Sequence, residues 1–149
     1  MAAEQVGAVY ASSNKAEGNT IVAFKQMSDG SLSTLGEFKS GGKGTGNIEI
    51  FDGGYDPTHP LADGIDPLIS AYGVYNTEDK KHLLTVNSGD GTISSFNVAD
   101  DFKLKLVNTV KASDIHPVSI ASKGKLVYVA SSGDAKAPPF SGNISGFTI

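Results

Sequence analysis

The chain has 149 residues, 39% of them hydrophobic, with 12 basic against 16 acidic residues for a net charge of -4. That is the length of one ordinary domain with enough apolar residues for a core, and mild acidity without a basic run excludes nucleic acid as an expected partner. No apolar run approaches the roughly 20 residues a bilayer span needs, and Met1-Ala2-Ala3-Glu4-Gln5 lacks a charged-then-apolar signal pattern, so a soluble chain with no membrane partner is expected.

The absence of cysteine excludes disulfides, thiolate metal sites and a cysteine nucleophile. It fits a reducing or an oxidising compartment equally, so localisation stays open. All 12 basic residues are lysines. Arginine is the usual planar clamp for carboxylate and phosphate groups. An anionic ligand must therefore be held by lysine, by backbone amides or by residues outside the chain.

In chain order, the first element is a hairpin. Ala8-Val9-Tyr10-Ala11-Ser12-Ser13 is followed by a polar loop containing Asn14, and then by Asn19-Thr20-Ile21-Val22-Ala23-Phe24. A glycine-rich irregular segment covers residues 41–64. It opens with Gly41-Gly42-Lys43-Gly44-Thr45-Gly46, which lacks the Gly-Lys-Ser/Thr ending and the following helix of a phosphate loop. A complete middle unit follows, with strands expected at 68–75, 82–87, 92–98 and 103–111. Its central hairpin turns at Gly89-Asp90-Gly91, the punctuation of antiparallel strands joined tightly. The best helical candidate, residues 99–111, alternates at Phe102, Leu104 and Leu106, which is strand periodicity. A third copy comprises Leu126-Val127-Tyr128-Val129-Ala130-Ser131 and Gly142-Asn143-Ile144-Ser145-Gly146-Phe147.

The copies share a register, marked by Ile21, Ile93 and Ile144 with Phe24, Phe96 and Phe147. Ile65-Asp66-Pro67-Leu68 recurs as Ile115-His116-Pro117-Val118 about 50 residues later, and that period with several strands per unit is the range of β-propeller blades. The expected fold is all-β: β-propeller blades of four-stranded antiparallel sheets, forming an incomplete ring. The whole chain, 1–149, reads as a single propeller portion with units at about 6–40, 65–113 and 114–149 and a long inserted loop at 41–64. The first unit lacks its innermost strand and the third its outermost. In such blades the loop between strands two and three and the loop leading to the next blade lie at one end. The long loops, Asp66 and His116 therefore share a face, and extra length spent on one face marks it for use.

Gly-Ala-Val-Tyr with Asn-Thr-Ile-Val-Ala-Phe, Asp66-Pro67-Leu68, Leu84-Thr85-Val86-Asn87-Ser88-Gly89 with Ile93-Ser94-Ser95-Phe96, Pro117-Val118-Ser119-Ile120-Ala121 and the 142–147 motif together resemble the lactonase family of seven-bladed propellers. That family includes 6-phosphogluconolactonase-like and carboxymuconate-cyclase-like proteins. The resemblance covers nearly the whole chain and suggests the amino-terminal two to three blades of a longer protein. It implies opening or closing of a small lactone or related ring at the channel mouth, with acidic and basic side chains from several blades. The expected partners are a small-molecule substrate and a second chain or further copies that complete the propeller.

His116 is the first catalytic candidate, because imidazole can act as a general base toward water or an acidic carbon proton. Asp66 occupies the equivalent place one repeat earlier and is the second. Asn87, ending a strand on the loop face, can donate to a substrate carbonyl. His59, Lys43 and Asn14 lie in loops on that face and complete the substrate-binding set. No cofactor and no metal are expected; Asp52, Asp56, His59 and Asp63 match no known cation loop. Serines without a Gly-x-Ser-x-Gly elbow give a serine hydrolase no support. The alternative reading is a non-catalytic propeller module that binds a partner protein or ligand through its long-loop face.

Overall fold

The computed structural model describes residues 2–46, 72–133 and 142–149, and among them there are ten strands and no helix. Strands β1 (Gln5–Ser12), β2 (Thr20–Met27) and β3 (Leu32–Lys39) form one antiparallel sheet in that order. β4 (Val74–Asn76), β5 (His82–Asn87), β6 (Thr92–Val98) and β7 (Leu104–Lys111) form the second. β8 (Pro117–Lys123), β9 (Leu126–Ser131) and β10 (Asn143–Thr148) form the third. Every strand pairs with its neighbour in sequence, so each sheet is an up-and-down meander.

The register confirms the three hairpin copies. Val9 pairs with Phe24, Leu83 with Phe96 and Val127 with Phe147, while Ser12 faces Ile21, Val86 faces Ile93 and Ala130 faces Ile144. Even an irregularity repeats: the β2–β3 ladder slips between Ala23 and Phe24, and the β6–β7 ladder slips between Ser95 and Phe96. The extra residue falls on the outer strand each time, Leu35 in β3 and Val107 in β7, while simple alternation along β2 and β6 puts isoleucine and phenylalanine, three residues apart, on opposite faces of their sheet. In the second sheet Phe96 thus points to the first sheet and Ile93 to the third.

Two apolar clusters result. Ile21 of the first sheet packs with Leu83, Phe96 and Leu104 of the second, supported by Tyr10, Phe38, Val74 and Val98. Leu84, Val86 and Ile93 on the other side of the second sheet pack with Ile120, Val127 and Val129 of the third. The second and third sheets also meet at their first strands, through a parallel bridge of Tyr72 with Ser119 and a 3.1 Å hydrogen bond from the Ile120 amide to the Tyr72 carbonyl. The core lies between sheets.

One expected strand differs. β4 covers Val74–Asn76, where residues 68–75 were expected; residues 68–71 lie outside the described set. Ahead of β4, the Gly73 carbonyl accepts both the Val86 amide and the Thr85 hydroxyl, so regular pairing begins only at Val74. A glycine in a strand pattern commonly interrupts the ladder in this way.

Phe96 is fully buried at the junction of the first two sheets. Phe96→Ala is expected to cost about 3–5 kcal/mol, read as a fall in the urea midpoint with little change in slope.

Candidate functional site

Four connections gather at one end of the sheets: the 13–19 loop, the strap 40–46 that leaves β3, the 88–91 turn, and the 112–116 link into β8. Asn19 anchors the first of them. Its Oδ1 accepts from the Ser12 hydroxyl and the Asn14 amide, while its Nδ2 donates to Asn87 Oδ1 at 2.9 Å and to the Val86 carbonyl. Asn87 Oδ1 also accepts from Ser40 Oγ at 2.7 Å, and Asn87 Nδ2 donates to Thr92 Oγ1 and Ser94 Oγ. Ser94 and Thr109 both donate to the Ser40 carbonyl. A buried amide is costly unless its hydrogen-bonding positions are filled. Here Asn87, fully buried, has both hydrogens donated and its carbonyl oxygen doubly engaged.

The strap is held by its backbone. Asn19 donates its amide to the Gly42 carbonyl, Gly44 to Lys15, Gly46 to Asn14, and Gly89 to Lys43. A Cβ on Gly44 would overlap the Asn14 carbonyl, and one on Gly89 would overlap the Gly44 carbonyl oxygen. Glycine is required because two backbones touch there. The amides of Gly42, Gly44, Thr45 and Gly46 are already donated within the protein.

Beside the strap lies a cleft of about 650 Å³ lined by Lys15, Lys39, Lys43, Glu17, Glu37 and Asp90 among others. Lys15 and Glu37 pair at 2.9 Å across its wall. A hydrogen bond from Thr20, followed by the bond to Lys15 and its charge, holds the Glu37 carboxyl below the usual carboxylate range. The same carboxylate raises the Lys15 ammonium, so both stay charged at neutral pH. Lys43 is exposed at the cleft.

His116 stands on the far side of the 88–91 turn. Its backbone is left-handed, with φ 53°, an uncommon state for a non-glycine residue that histidine adopts more readily than most and that Asn14, Lys80 and Phe102 share. The conformation is held by the Ser132 amide, which donates to the His116 carbonyl at 3.0 Å, and by Ser88, whose hydroxyl donates to the Pro117 carbonyl. The ring is half-buried, and its Nδ1 is buried without a hydrogen-bond partner. The 88–91 turn therefore touches the Lys43 backbone through Gly89 and the residue after His116 through Ser88.

The structure thus brings Asn14, Lys43, Asn87 and His116 to one end, as expected for a shared loop face. Two of them have structural work there. Asn87 has no donor left for a substrate carbonyl, so its expected ligand contact is replaced by a tie between sheets. Asn14 clamps Thr45, giving Nδ2 to its hydroxyl at 2.7 Å and accepting its amide at 2.9 Å. Lys43 is exposed, and His116 keeps a buried Nδ1 without a hydrogen-bond partner. Asp66 and His59 lie outside the described residues.

Sequence reasoning missed Asn19, Ser40, Lys15, Lys39 and Glu37. One signal was present: Asn19 begins the Asn-Thr-Ile copy of a pattern that opens with Gly91 in the next hairpin. At the other end of the sheets a groove of about 510 Å³ is lined by Tyr10, Asn76, Asp79, Lys81 and Phe102 among others. Tyr10 donates its hydroxyl to the Phe102 carbonyl at 2.7 Å; burial, then the charge of Asp101, pushes the phenol pKa up.

Successive four-stranded or near four-stranded antiparallel meanders, packed face to face with first strands side by side, define an all-β array of propeller-type blades in which no sheet closes on itself. Among solved structures, the chain resembles a candidate 6-phosphogluconolactonase from Bacteroides fragilis NCTC 9343, with 16% identity and a TM-score of 0.56 over 95% of this chain and 32% of that one. A protein of unknown function from Desulfotomaculum acetoxidans DSM 771 is similar at 17% identity and a TM-score of 0.49, over 87% of this chain and 35% of that one. The chain spans about a third of the length of both. At these identities the likeness to the first describes the fold alone, and it agrees with a propeller architecture. No protein-family model matches the chain, and no curated protein matches it.

Replacing Asn87 by leucine keeps the volume and strips the partners of Asn19, Ser40, Thr92 and Ser94. At about 1–3 kcal/mol for each group left unsatisfied, Asn87→Leu is expected to lose at least about 3 kcal/mol in urea unfolding. A near-neutral result would show that water substitutes freely at this junction.

Proposed function

We propose that the chain is a portion of a lactonase-like propeller enzyme that hydrolyses or isomerises a small lactone or related ring at the loop face, without a cofactor. The observation that carries the reading is His116: a histidine of left-handed backbone at the head of β8 with an unpartnered buried Nδ1, one turn away from a lysine-lined cleft. Uncommon backbone states and unfilled polar atoms persist where the surrounding structure enforces them, and such places are commonly functional.

In the hydrolytic form, His116 takes a proton from water as the water oxygen bonds to the lactone carbonyl carbon. The ring C–O bond then breaks, and the departing alkoxide recovers the proton from the imidazolium. In the isomerising form the same base removes an acidic carbon proton and returns it. Lys43 supplies positive charge to the carbonyl oxygen as it becomes anionic, the part an oxyanion donor plays. Asn87 and Asn14 act on this chemistry by holding the turn and strap in place. Asp66 and His59 remain proposed as a second acid–base group and a ligand contact. Besides the small-molecule substrate, the proposed partner is a second chain or further copies of this one, extending the array of blades.

A screen of small lactones identifies the substrate. With it, His116→Ala is expected to cut turnover by about a hundredfold or more while the unfolding midpoint stays close to that of the parent; undiminished turnover would remove His116 from the mechanism.

A further inference from the structure

Each sheet has a forward face, turned toward the next sheet in the chain, and a backward face. On the forward face the repeated isoleucine is 0% exposed at Ile21, 5% at Ile93 and 71% at Ile144. These are the same register position of three copies of one hairpin, so the difference lies in what covers them. Tyr128, which shares the forward face of the third sheet with Ile144, is 48% exposed; its counterpart Leu84 is buried against the third sheet.

The opposite end of the array is complementary. Ile21 is received by a backward face made of Leu83, Phe96 and Leu104. The positions that match these three in the first sheet are Val9, Phe24 and Leu32, by the shared pairings Val9 with Phe24 and Leu83 with Phe96, and Gln26 with Leu32 and Val98 with Leu104. Val9 is 41% and Leu32 53% exposed. One end of the chain therefore presents the isoleucine and the other presents the aliphatic–phenylalanine–leucine face that the same fold uses to bury it. Exposed apolar faces of this kind mark interaction surfaces.

We propose that the forward face of the third sheet docks on the backward face of the first sheet of a second copy of this chain, Ile144 entering between Val9, Phe24 and Leu32 as Ile21 enters between Leu83, Phe96 and Leu104. The contact is head-to-tail, so it leaves one face of each kind free and continues until the array closes. Two copies supply six sheets, within the range of about 4–8 blades at which propellers close, so the closed form is a dimer. This deepens the proposed extension of the array by further copies and is independent of the catalytic reading, since it is read as mass and not as turnover.

The test uses two variants of this 149-residue chain altered at exposed positions, Ile144→Asp and Val9→Asp, with circular dichroism to verify that each folds. Light scattering with size separation is expected to find the parent at twice the 15.4 kDa chain mass and each variant alone as a monomer. An equimolar mixture is expected to form a heterodimer, because it restores one intact forward face and one intact backward face. A monomeric parent at about 100 µM, far above the micromolar constants of ordinary specific pairs, would overturn the proposal. So would a Val9→Asp variant that still pairs with itself, which indicates forward-to-forward contact, or a mixture that forms no complex.

Discussion

The side chain of Asn87 carries the junction between the first two sheets. It lies at the end of β5, is fully buried, and receives Asn19 and Ser40 from the preceding sheet while giving its own hydrogens to Thr92 and Ser94. An unpaired amide there would be expensive in a low-dielectric interior, and a complete network rigidifies what it joins. Ser40 is held at that junction, and the strap that follows it runs next to Asn87. From there the strap crosses to the 13–19 loop and the 88–91 turn. The arrangement of the loop face follows from one buried amide and the two backbone contacts made by Gly44 and Gly89.

The next junction is built differently. In the positions of Asn87, Asn19 and Ser40, the repeat places Ser131, Gly91 and Ala112. The Ser131 hydroxyl is buried without a partner, and the junction relies on the apolar cluster of Leu84, Val86, Ile93, Ile120, Val127 and Val129. Ser113 takes up Ser145 by two hydrogen bonds at the edge of this contact. His116 immediately precedes the first strand beyond it. A polar junction thus lies on one side of the 88–91 turn, and an apolar one with the Ser131 hydroxyl and His116 Nδ1 unpartnered lies on the other.

The strands were legible because they are local. Leu83-Leu84-Thr85-Val86 and Ile93-Ser94-Ser95-Phe96 around Gly-Asp-Gly specify β5 and β6 with the bounds observed, and the repeat of Ile and Phe predicted the register of all three hairpins. β7 was recognised against a helical alternative by its alternation. Tyr72 and Gly73, expected within the fourth strand, lie ahead of its first regular pair because the Gly73 carbonyl binds Thr85 and Val86, which no local pattern announces. The shared face of Asn14, Lys43, Asn87 and His116 was also predicted, from blade geometry. What the sequence concealed was which of these residues are consumed by the fold. Asn87 meets partners 68 and 47 residues away, so its full engagement is a tertiary fact. The glycine-rich strap resembled a flexible loop for the same reason, since the contacts that require glycine come from Asn14 and from the two strap and turn backbones meeting each other.

The central claim is that the strap and the 88–91 turn form a rigid junction and are not a mobile ligand-binding loop. Amide hydrogen exchange reads this directly, because exchange requires opening of the hydrogen bonds involved. The amides of Asn19, Gly44, Gly46 and Gly89, each bonded across the junction, should be protected to the same order as amides inside β5 and β6. Exchange of these four at the rate of a free loop, while β5 and β6 remain protected, would contradict the account.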